Sequence, residues 1–70
     1  MDIQSLDHQL IEAGFMPVEA CKPLHEIARA SEEQLNRFAD YTPEIVIIPV
    51  SLVAPSFERQ LYNLYIRMGV

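Results

Sequence analysis

Residues 45–55, IVIIPVSLVAP, are apolar at every position but Ser51, and two prolines interrupt them. Eleven residues fall well short of the ~20 that a helix needs to cross a bilayer, so the run must be buried inside protein. Ile45, Val46, Ile47, Ile48, Val50 and Val53 are β-branched, a class that suits a pleated strand at least as well as a helix. A strand needs a second strand to take up its amides, and no other segment of the sequence reads as one. Thr42-Pro43-Glu44 is instead a good helix start: a capping hydroxyl, proline at the first position, and a carboxylate favoured by the helix dipole. The expectation is therefore helical turns over 43–53, broken at Pro49. The alternative is an inter-subunit β pairing of residues 45–53 with their copy in another protomer.

The remaining segments read as helices. Ile3, Leu6, Leu10 and Ala13 recur at helical spacing and Gly14 supplies a stop, giving a helix over 3–13. Leu24, Ile27 and Ala28 share a face with Ala20 and Cys21. A second helix is expected to end at residue 30 and to start at 18 or 23, because Pro23 cannot sit deep in a helix without a cost of about 3 kcal/mol. Ser31-Glu32-Glu33-Gln34 matches a capping box, predicting a third helix over 32–41 that buries Leu35, Phe38 and Ala39. Ser56 caps a last helix over 57–68, ending at Gly69. Its apolar arc of about 200° is wider than the stripe of an ordinary surface helix. The fold class expected is all-α, a small bundle of four or five short helices in one domain over 1–70.

At 70 residues such a domain buries only about 60% of the surface that its unfolded chain exposes. The single cysteine, Cys21, cannot form an intrachain disulfide, which with the acidic N-terminal residues predicts a cytoplasmic protein without an export signal. Ten acids against five bases give a net charge of −5, and no Lys/Arg cluster makes an electrostatic footprint for nucleic acid.

Two pairs have spacings that can carry chemistry. His8 and Glu12 lie four apart, as do Cys21 and His25. Two ligands are half a metal site, and a solvated helix pair is the plainer account of the first. A buried, inert cysteine beside an exposed histidine is the plainer account of the second. No Gly-rich phosphate loop, nucleophile elbow or paired-Cys motif occurs, so no enzyme, cofactor or metal is expected.

The function expected is that of a non-enzymatic regulator, adaptor or inhibitor that binds another protein. One side of the last helix has no intrachain cover in a four-helix arrangement, which predicts a homodimer with Ile47, Val50, Phe57, Leu61, Tyr62, Tyr65 and Ile66 at the interface. The alternative is a dimeric helix-turn-helix DNA-binding regulator over 24–41, LHEIARASEEQLNRFADY. Its reading helix carries Glu32, Glu33 and Asp40 against Arg37 alone, a charge balance that phosphates oppose.

Overall fold

The computed structural model describes residues 3–51, 56 and 59–69. In chain order these form helix α1 (Ile3–Glu12), strand β1 (Met16–Pro23), helix α2 (Leu24–Arg37), a 3-10 turn (Ala39–Tyr41), strand β2 (Glu44–Pro49) and strand β3 (Leu61–Arg67). The strands make one antiparallel sheet in the order β1-β3-β2, so the last strand lies at its centre.

The all-α expectation is overturned: the described residues form a small α+β domain of two helices and a three-stranded sheet. The decisive segment is the one read as a last helix over 57–68. Its residues 61–67 form β3, while 57 and 58 lie outside the described residues. Side chains alternate across a strand, so Tyr62, Leu64 and Ile66 point to one side of the sheet and Asn63, Tyr65 and Arg67 to the other. Each side carries its own apolar cluster. Leu64 packs with Ile27 and Ala30 of α2, joined by Val18, Ile45 and Tyr62. Tyr65 packs with Phe15 and Ile48, joined by Leu6 and Leu10 of α1 and by Val46. A strand covered on both faces is apolar on both, and that pattern mimics the wide arc of a buried helix.

With β3 present, the β-branched run has an intrachain partner. Residues 44–49 pair with β3 in unbroken antiparallel register from Glu44 opposite Arg67 to Pro49 opposite Tyr62. The helical turns expected over 43–53 are not formed at 44–49; residues 52 and 53 lie outside the described residues.

The first helix matches its expectation closely. Phe15 N–H donates to the Leu10 carbonyl at 2.9 Å and Gly14 N–H to that of Ile11 at 3.1 Å, the paired bonds of a Schellman end with Gly14 at φ +96°. The two helices expected over 18/23–30 and 32–41 are a single one. Pro23 occupies its N-cap position, a place where its missing N–H costs nothing. Ser31 opens no new helix; its hydroxyl donates back to the Ile27 carbonyl at 2.8 Å, within α2. The turn that a helix-turn-helix over 24–41 requires is therefore not there. Residues 18–23, which the earlier of the two expected starts placed in the second helix, lie in β1.

Among the described residues, no helix is long and apolar enough to cross a membrane.

Candidate functional site

The chemistry-bearing pairs singled out by spacing stand apart. His8 Nε2 lies 3.0 Å from Glu12 Oε1 on the outer face of α1, with both side chains mostly in water. Cys21 is in β1 and His25 in α2, so they share no helical face. Cys21 is exposed, against the expectation of burial. Its backbone is left-handed, at φ +56°, because β1 carries two register shifts against β3. The second shift leaves the Cys21 N–H outside the ladder, and Asn63 Oδ1 accepts it at 3.0 Å. Among the described residues no cluster of His, Cys, Asp and Glu could hold a metal ion.

A polar relay runs on from that bulge through the centre of the sheet. Asn63 Nδ2 lies 3.5 Å from the Tyr65 hydroxyl, which in turn donates to Asp7 Oδ1 of α1. Burial, reinforced by the bond to Asp7, pushes the Tyr65 phenol up to about 12. A phenol held neutral in this way fastens α1 to the sheet and is not poised to exchange protons near neutrality.

Two surfaces remain. One is a cleft of about 210 Å³ between β1 and α2, lined by Glu19, Lys22, Glu26, Arg29, Ala30 and Glu33. Acids and bases alternate around it, so its charges are largely offset within the wall. The other surface lies at the opposite edge of the sheet. Because α2 rests mainly on β1 and β3, β2 projects beyond its cover, and Ile47 on the α2 side of β2 is 40% exposed. On the α2 wheel, Leu24, Ala28 and Leu35 lie opposite the cleft-facing Glu26, Arg29 and Glu33. They form the flank on the β2 side, with both leucines exposed.

The two edges of the sheet differ sharply. β1 begins and ends with proline-containing steps, Pro17 and Pro23, carries Lys22, and is broken by two bulges. These devices prevent another strand from adding. In β2 the stretch from Ile45 to Ile48 has no charge, no proline and no bulge, and among the described residues only β3 pairs with it.

The seven expected interface residues fall on both sides of this distinction. Ile47 and Leu61 are at the surface, and Val50 and Tyr62 are half-buried, Tyr62 against the α2 cluster. Tyr65 and Ile66 are 1% and 2% exposed, so the protomer itself provides the cover that a partner was expected to give them. Phe57 lies outside the described residues. Sequence reasoning missed Leu24 and Leu35, which it placed in the core, and it missed the edge character of β2. The signal for the edge was available: an uncharged β-branched window closed at each end by proline, which in sheets is confined to edges.

No protein-family model, no curated protein and no solved structure matches the chain.

Proposed function

We propose that this protein binds other protein chains and performs no chemistry of its own, acting as a small regulator, adaptor or inhibitor through the outer edge of β2. The observation that carries this reading is the asymmetry between the two sheet edges: β1 is blunted by bulges, prolines and a lysine, while β2 is left open and apolar. An exposed strand edge offers a row of backbone donors and acceptors that an incoming strand completes, with side-chain pockets setting its selectivity. Ile47, Leu24 and Leu35 supply the apolar surface beside that row.

In this reading the protein works as a homodimer in the cytoplasm, where the exposed Cys21 stays reduced. The acidic excess steers basic partners towards it and raises their rate of encounter.

The test is affinity capture run side by side with wild type, Ile47→Lys and Lys22→Glu, each first shown to be folded by circular dichroism. A partner held by wild type and by Lys22→Glu but lost by Ile47→Lys supports the assignment. A partner retained equally by all three puts the working surface elsewhere and overturns it.

A further inference from the structure

The identity of one occupant of the β2 edge follows from its backbone phase, given the reading of that edge as the working surface. Val50 N–H donates to the Leu61 carbonyl at 2.8 Å, and Val50 stands opposite Leu61 in the same register that pairs Val46 with Tyr65. In an antiparallel pair the residues that exchange bonds alternate with residues that do not. Glu44, Val46, Ile48 and Val50 therefore turn their backbone groups to β3. Ile45 and Ile47 turn theirs outward, as do Pro43 and Pro49, which have no N–H to lose from the β3 ladder.

The outer row thus presents two donors, Ile45 and Ile47, closed off by a proline on each side. Pro43 and Pro49 stand three residues before and three residues after Val46. This spacing is symmetric about Val46, and a two-fold antiparallel pairing demands that symmetry where an unrelated strand does not. We propose that a second copy of the chain pairs with this edge, β2 against β2, with Val46 on the two-fold axis.

In that register Ile45 lies opposite the partner's Ile47 and Ile47 opposite the partner's Ile45. Both outward donors and both isoleucine carbonyls of each copy are used, and the prolines face one another beyond the ladder. Sliding the copies to put Ile45 opposite the partner's Ile45 sets Ile47 against a proline and leaves its carbonyl without a donor. Centring on Ile47 does the same to Ile45. Residues directly opposite share a face, so the exposed Ile47 side chain packs on the partner's Ile45 on the α2 side, bordered by Leu24 and Leu35. The only charge in β2, Glu44, meets the partner's Ile48, so no like charges oppose each other. The two sheets become one of six strands with the blunted β1 at each end, and the β2 edge stays open to another protein chain only in the unpaired protomer.

Cysteine cross-linking reads the register directly. In the full-length chain with Cys21→Ser, Val46→Cys, Ile45→Cys and Ile47→Cys are made singly and oxidised mildly, with the mass of each and of wild type followed by light scattering. Facing residues in a non-hydrogen-bonded pair have Cα atoms about 4.5 Å apart, within reach of a disulfide. The like residues one step away are diagonal neighbours at about 7–8 Å, outside it. The expected result is a dimer in which Val46→Cys cross-links and the other two do not. A dimer that cross-links first through Ile45→Cys or Ile47→Cys, or through none, overturns the proposed register while leaving the edge reading intact. A wild-type mass that stays at 8.0 kDa at high micromolar concentration overturns the second copy as occupant, and the edge reading then rests on the Ile47→Lys capture comparison.

Discussion

The Tyr65 hydroxyl donates to the carboxylate of Asp7, 58 residues earlier in the chain, and so ties the central strand to the first helix. Because burial and then this bond raise the phenol to about 12, the folded state holds the proton more tightly than the unfolded chain, whose tyrosine titrates near 10. The stabilisation is whole below pH 10 and is lost as the pH rises through about 12. Urea denaturation at intervals between pH 8 and 12.5 should show stability falling over this window by on the order of 2 kcal/mol. Tyr65→Phe should be less stable at pH 8, by about 1 kcal/mol, and should lose this part of the alkaline fall. An unchanged alkaline fall in Tyr65→Phe would remove Tyr65 as its source.

Gly14→Ala should destabilise the protein through its backbone alone. The added Cβ would meet only Arg67 Cδ, at an ordinary 3.5 Å, so space is not the difficulty. The difficulty is φ +96°, which an L side chain rarely adopts, and about 1–2 kcal/mol is the expected loss in urea denaturation. Gly69→Ala has the opposite cause: its Cβ would lie 2.7 Å from the Thr42 carbonyl oxygen, with no positive φ involved. A stability loss near zero for Gly14→Ala would mean that the Schellman end is not held in solution.

The helix end at Gly14 was legible because its signal is local: a 3.6-residue period followed by glycine. β3 was not, because Tyr62, Leu64, Tyr65 and Ile66 fit a helical arc as well as they fit a strand buried on both faces. Losing β3 also misplaced β2, whose β-branched residues pointed to a strand but had no visible partner. β1 carries almost no strand signal: Pro17, Glu19, Lys22 and Pro23 are poor strand formers, and long-range pairing with Leu61–Arg67 holds the segment extended. Within the candidate site, Ile47 was named from its apolar neighbourhood, and the structure leaves it 40% exposed. The open edge beside it depends on strand order, which periodicity does not report.

Asn63→Ala should loosen β1 at one amide. The Cys21 N–H then loses the acceptor that sits 3.0 Å away, at an expected cost of about 0.5–1.5 kcal/mol. Hydrogen exchange resolves the effect by residue: the Cys21 amide should exchange faster in the variant, while the α2 amides around Ile27 change only with global stability. Equal acceleration at both sites would show that Asn63 acts through the fold as a whole.

Arg67, in β3, joins the end of α1 to the start of β2, and lysine should not replace it. Its Nη1 donates to the Ala13 carbonyl at 2.9 Å, at the end of α1, and its Nη2 to Glu44 Oε2 at 2.7 Å, at the start of β2. Its guanidinium carbon lies 4.5 Å from the centre of the Phe15 ring. A planar fork can serve two acceptors while stacked on a ring, whereas an ammonium is a compact point charge that can satisfy one of these demands at a time. The ion pair alone contributes little because both partners reach water, so Glu44→Gln should cost less than about 1 kcal/mol. Arg67→Lys keeps the charge and should still cost more than Glu44→Gln, roughly 1–2 kcal/mol, through the lost carbonyl bond and ring contact. Guanidinium denaturation of both single variants and the double variant decides the point. If Arg67→Lys is as mild as Glu44→Gln, charge alone accounts for this position and the stacked fork has no energetic role.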